Sequence, residues 1–265
     1  MWLSAKPVQQ LWFPATPPPP PSKWSSATRT TVKMRVVFNN TSPPVQKKRK
    51  RYRKLYPGET TGITEEMRFV AMKLRNDTTV ATAPSTSHDD TWQPSMDGFL
   101  RFLVDNNLVF ATLERIVDES DNVSYAYMRK CGLERSKGIL KDLAWFEERG
   151  LVVPTPSSPG VTYAKYLEEL AETSAPLFLS HFYNIHFSHI AAGQVIAKKV
   201  SEQLLEGKEL EFFRWEGDVP EMLKGVREKL NMLSEHWSRD EKNKCLRETT
   251  KSFRYMGQIV RLIIL

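Results

Sequence analysis

From about residue 97 onward, apolar residues recur at steps of three and four. Phe99, Phe102, Leu103, Phe110, Leu113 and Val117 share one face of a helix that begins near Asp97. Tyr163, Tyr166, Leu167, Leu170 and Ala171 form a second such stripe. Leu223, Val226, Leu230, Leu233 and Trp237 form a third, opened by Pro220, and Cys245, Thr249, Phe253, Met256 and Ile263 a fourth. The fourth starts at Ser238-x-x-Glu241, a pattern in which hydroxyl and carboxylate satisfy each other's backbone N–H groups. Thr64 is a candidate cap for an earlier helix running through Arg75, with Glu65 and Glu66 in its first turn, where the dipole favours acids. Residues 76–94 are rich in Thr, Ser and Asp and are predicted as a loop. A further helix over about 133–149 stops at Gly150, and Pro154, Pro156 and Pro159 mark a connection. No stretch after residue 58 alternates with period two, so the pattern predicts an all-α bundle of seven or eight helices, with no internal repeat.

One stretch breaks the amphipathic rule. Residues 181–200, after Pro176, are apolar all round, as in a helix buried on every side. It still carries Tyr183, Asn184 and Gln194, three of the chain's five histidines, and the small-residue run Ala191-Ala192-Gly193. Gly193 costs about 1 kcal/mol of helix propensity against Ala. Either close helix packing or the approach of a large flat group would account for it.

Charge divides the 265 residues in two. Residues 1–58 hold 12 Lys or Arg and no acid; the remainder holds 26 basic and 31 acidic residues, a net −5. The body is therefore not a basic nucleic-acid-binding domain. The prolines 17–21 and the dense Ser and Thr around them cannot bury enough apolar surface to order themselves. Residues 1–54 are expected to be a disordered leader and basic linker, and 55–265 a single helical domain. An acid-free, basic, hydroxyl-rich leader fits an organelle transit peptide; the cluster Lys47–Lys54 also fits a nuclear signal. No run of 18 apolar residues suggests a membrane span. Cys131 and Cys245 stand outside any Cys-x-x-Cys frame, so neither a disulfide framework nor a zinc site is expected.

The histidines are the first candidates for chemistry. His181, His186 and His189 spread over roughly 140° of a helix, and only the last two share a face. Without a His-Glu-x-x-His they are expected to be hydrogen-bonded core groups, with a ligand-facing histidine as the alternative. There is no Gly-rich phosphate loop, nucleophile elbow or triad.

Longer motifs carry a resemblance. Tyr56-Pro-Gly-Glu, the run Glu65–Leu74, Gly98–Asp105, Gly132-Leu-Glu-Arg135, His181-Phe-Tyr-Asn-Ile185, Lys208–Phe212 and Val226–Asn231 are similar to plant chloroplast heme oxygenases over about 55–265. The resemblance implies an all-α bundle with heme between the first helix and the distal helix. It also implies oxidative opening of heme to biliverdin, CO and iron, with electrons from ferredoxin. The family's iron-ligating histidine corresponds to Arg75, whose guanidinium has no lone pair to donate. The family's distal Gly-Gly pair reads Ala192-Gly193. Arg68, Tyr183, Lys224 and Arg227 match positions that pair heme carboxylates, Phe253 matches a pocket-lining residue, and His189 falls where plant members keep a histidine.

Arg in place of the ligand histidine resembles the divergent second type of plant heme oxygenase, regarded as inactive. That implies no catalytic residue, no metal site and no required cofactor. Protoporphyrin IX, which needs no axial ligand, is favoured over heme. The implied setting is the chloroplast stroma, modulating heme, bilin and chlorophyll metabolism with a minor link to phytochrome chromophore supply. Two other readings stay open: an active heme oxygenase using another ligand, and a ligand-free partner of an active paralogue. The paralogue and ferredoxin are the expected protein partners, with no nucleic acid and no membrane span.

Overall fold

The computed structural model describes residues 62–80 and 92–264, with backbone alone over 75–80. The expected leader, the turn at Tyr56-Pro57-Gly58 and most of the predicted loop lie outside the described residues. Among the described residues eight α-helices follow in order: α1 Ile63–Val80, α2 Met96–Glu119, α3 Val123–Ala126, α4 Ser136–Glu147, α5 Ser158–Thr173, α6 Ala175–Leu204, α7 Val219–Glu235 and α8 Arg239–Arg261. Single turns of 3-10 helix cover Glu211–Phe213 and Leu262–Ile264. Among the described residues there is no strand, as the period-three-and-four pattern predicts.

The stripe on α2 is the centre of the core. Phe99, Phe102, Leu103, Phe110, Leu113 and Val117 are all buried, against α4 and α5 on one side and the C-terminal 3-10 turn on the other. Fully burying each such side chain stabilises the fold by about 1.5–3 kcal/mol. α6 packs along α8, and α1 lies against α8 and α7.

Several helix ends follow local signals. Ser95 accepts from the Gly98 N–H at 3.0 Å, Asp218 from Glu221 at 2.9 Å, and the Ser238–Glu241 box is closed in both directions. Gly150 ends the α4 segment with φ of +78°, and the Leu151 N–H reaches back to the Phe146 carbonyl at 3.2 Å. Pro159 and Pro176, expected before their helices, lie in the first turns of α5 and α6, where a missing N–H costs nothing.

Other ends differ from the sequence expectation. α1 starts at Ile63, and Thr64 does not cap it: its N–H and hydroxyl both donate to Asn231 Oδ1 on α7, at 3.1 and 3.0 Å. Gly62, with φ of +114°, lets that amide in, since a Cβ there would meet Asn231 Cγ at 2.5 Å. The helix also continues to Val80, past the point where polar composition predicted a loop. α4 begins at Ser136 rather than 133, because Glu114 of α2 accepts from the N–H groups of Arg135 and Ser136 at 2.6 and 2.9 Å. Asp105, fully buried, caps α5 through Ser157 N–H at 2.7 Å, Ser157 Oγ at 2.5 Å and Gly160 N–H at 2.9 Å. Asp142 caps the Glu211–Phe213 turn in the same way, at 2.8 Å to two N–H groups. Each is a carboxylate at the positive end of a helix dipole.

Candidate functional site

α6 is 30 residues long and shows different chemistry on its two sides. His181 fixes its rotation. The ring sits between the Tyr163 hydroxyl at Nδ1, 2.9 Å, and the Glu248 carboxylate at Nε2, 3.1 Å. Burial pushes the imidazole's pKa down despite that carboxylate, so it is neutral and donates from Nε2. Burial also pushes Glu248 up, but hydrogen bonds from His181, Lys251 and Tyr166 outweigh it and hold the carboxyl at about 2. The network clamps one face of α6 to α5 and α8.

The opposite face carries Tyr183, with the Phe187 ring stacked 6.0 Å away. Tyr183 is buried, and burial raises its phenol pKa. The Arg227 guanidinium of α7 draws it back down, and Glu65 and Arg68 of α1 act on it through space. Arg68 is half-exposed and pairs with Glu65 at 2.8 Å. Lys224, one turn before Arg227 on α7, is exposed and pairs with Glu221 at 3.1 Å. The structure thus gathers Arg68, Tyr183 and Arg227 from three helices, with Lys224 beside them. Guanidinium and ammonium groups around a buried phenol suit a ligand with carboxylates at one edge. Arg75 lies on α1 two turns beyond Arg68, at the same helical face; its side chain is outside the described atoms.

His189, Ala192 and Gly193 face elsewhere. They line a cavity of about 30 Å³ with Phe102 and Phe110 of α2, Phe213, and Met256 of α8. That is room for little more than one water-sized molecule. The His189 ring stacks on Phe212 at 4.1 Å and donates from Nε2 to the Phe212 carbonyl at 2.9 Å. Burial takes its pKa down to about 3, and that of His186 likewise. The His189 lone pair is on Nδ1, and a Cβ at position 193 would stand 3.4 Å from it. That spacing is an ordinary contact, and close packing does not require glycine at 193. Phe253 is buried on α8 as part of the core.

Sequence reasoning missed the Tyr163–His181–Glu248–Lys251 network; the Glu248–Lys251 spacing on one helix was its only signal. It also missed Glu65, the acid beside the tyrosine, and Arg135, whose charge acts on both His186 and His189. Both cysteines are free, with thiols pushed up to about 12 mainly by burial. Among the described residues no group of three His, Cys, Asp or Glu side chains could hold a metal ion. No described helix is long and apolar enough to cross a membrane.

Comparison with known proteins agrees with this bundle. The sequence profile of the family described as heme oxygenase matches residues 82–262. A protein of Arabidopsis thaliana named "Probable inactive heme oxygenase 2, chloroplastic" is 64% identical over 241 residues, covering 83% of this chain and 81% of the relative. Its counterpart of the same name in Oryza sativa subsp. japonica is 48% identical, covering 82% and 77%. "Heme oxygenase 1, chloroplastic" of Arabidopsis thaliana is 47% identical over 221 residues, covering 81% and 78%. Among solved structures, heme oxygenase 2 from Chlamydomonas reinhardtii without heme superposes with a TM-score of 0.61 at 16% identity, covering 76% of this chain and 97% of that one. At that identity the superposition speaks for the fold alone. Profile, relatives and all-helical architecture together establish that the chain belongs to the heme oxygenase family.

Proposed function

We propose that this protein is a catalytically inactive heme oxygenase homologue that binds a tetrapyrrole, protoporphyrin IX in preference to heme. The reading rests on one contrast. The residues that would pair ligand carboxylates are present, with Arg227 close enough to the buried Tyr183 to draw its phenol pKa back down. The position that would ligate iron holds Arg75, which has no lone pair and keeps its proton. His189 is a poor substitute: its Nε2 is engaged with Phe212, and the cavity it lines, about 30 Å³, has room for little more than one water-sized molecule. The chain's own residues therefore fit a porphyrin's carboxylates and do not fit its iron.

In this reading Arg227, Arg68 and Lys224 bind the ligand carboxylates, and Tyr183 orients them from a dry position. The two exposed cations exchange Glu65 and Glu221 for the ligand at little cost, because surface ion pairs are worth about 1 kcal/mol or less. Heme bound in the family supplies oxygen activation at its iron; Arg75 offers that iron no ligand. The setting is the chloroplast, as the names of its relatives indicate for them. There the protein would modulate heme, bilin and chlorophyll metabolism, with a minor part in phytochrome chromophore supply.

The test is absorbance titration of the wild type and Arg75→His with hemin and with protoporphyrin IX. The wild type gives a Soret change with protoporphyrin and a weaker one with hemin, and Arg75→His strengthens the hemin response. Absence of any protoporphyrin response refutes the binding. Biliverdin formed from hemin by the wild type with ferredoxin and reductant refutes the inactivity.

A further inference from the structure

A second concave region lies where the ends of α4 and α6 meet the start of α2. It is a cleft of about 370 Å³, floored by Met96, Trp145, Phe146, Leu151 and Leu204. That volume is within the range in which proteins hold small ligands. It shares no lining residue with the Tyr183–Arg227 edge.

Two cations ride on its single indole. The Arg149 guanidinium carbon is 3.6 Å from the Trp145 ring centroid, and Lys208 Nζ is 5.1 Å away. Both side chains are exposed, and among the described residues neither makes an ion pair within 4.0 Å. Arg149 makes one long bond, 3.4 Å, to the Trp145 carbonyl of its own segment. Glu206 shares the rim. Asp142, which acts on Lys208 through space, already accepts two backbone N–H groups. The C-terminal ends of α4 and α6 draw cations here, and the acids at those ends, Glu147, Glu148 and Glu206, come within 4.0 Å of neither cation. Two like charges against one ring repel each other, and an anion between them removes that repulsion. Lys208 also lines a neighbouring cleft of about 290 Å³. The other cations of that cleft are neutralised, Lys198 by Glu202 at 3.9 Å and Arg214 by Glu211 at 2.9 Å. The attraction for an anion therefore centres on Trp145, with apolar surface running away from it.

We infer that this cleft binds a free amphiphile with one anionic head group, such as a fatty carboxylate. The head sits between Arg149 and Lys208, and the chain lies along Leu151, Leu204 and Met96. Isothermal titration calorimetry of the full chain with dodecanoate tests it. One dodecanoate binds per protein, dodecanol binds much more weakly, and protoporphyrin IX does not displace dodecanoate. The Arg149→Ala/Lys208→Ala double variant loses about tenfold or more in affinity, the scale of charge-assisted bonds. Lys208→Glu, at an exposed position, loses at least as much, and circular dichroism verifies that both variants are folded. No binding, equal binding of dodecanol, wild-type affinity in the double variant, or binding to anionic lipid vesicles alone overturns the inference.

Discussion

The Glu248→Gln substitution isolates the clamp that orients α6. Glu248 is buried on α8, receives hydrogen bonds from His181 at 3.1 Å and from Tyr166 at 2.8 Å, and forms an ion pair with Lys251 at 2.8 Å. Those donors hold its carboxyl at about 2, against an ordinary 4.5. The shift corresponds to about 3 kcal/mol. Lys251 is 49% exposed, and solvent screening of that side brings the figure nearer about 2 kcal/mol. Because the folded pKa is depressed, this stability is complete above pH 4.5 and is lost as pH falls toward 2. About a quarter is gone by pH 4 and more than half by pH 3. His181 acts in the same direction: its folded pKa is lowered by burial, so the unfolded chain takes up its proton first as pH drops below the ordinary histidine range. At pH 7 His181 is largely neutral in both proteins, so the difference between wild type and variant there reports the Glu248 carboxylate. Urea unfolding at pH 7 then gives a gap of about 2 kcal/mol, which narrows through pH 4 and 3.5. A gap below about 0.5 kcal/mol at pH 7, or one that does not change down to pH 3.5, refutes the account.

Three further substitutions test other joints. Asp105→Ala strands the N–H groups of Ser157 and Gly160 in the core and costs about 3 kcal/mol, seen as a Tm lower by about 8 °C; a loss under about 1 kcal/mol contradicts the cap. Asn231→Ala removes the partner of Thr64 and costs about 1 kcal/mol, with faster hydrogen exchange in the first turn of α1 and none elsewhere; uniform acceleration means that Asn231 is not acting as a cap. Arg227→Ala removes the group that pulls the Tyr183 phenol back and weakens protoporphyrin binding by about tenfold, while unchanged affinity shows that the ligand does not use this edge.

The sequence by itself determined the helices and their inward faces. Periodicity places Phe99 through Val117 in the core of α2, and the Ser238–Glu241 box needs only residues three apart. Arg75 too is legible without any structure, because a guanidinium cannot ligate iron whatever surrounds it. Ends that are capped from a distance were not legible. Asn231, Glu114, Asp105 and Asp142 look like ordinary polar residues until folding brings them to helix starts that lack a local cap. The same holds for α6. The resemblance gives Tyr183, His189, Ala192 and Gly193 to one ligand, but the structure divides them. His181 turns to α5 and α8, and His189, Ala192 and Gly193 line a small cavity against α2. Tyr183 faces Arg227. A helix apolar all round carries no preferred face in its own pattern, so its rotation is set by which buried polar groups find partners on neighbouring helices. That selection is a property of the packed bundle, and it decides which side of α6 can meet a ligand.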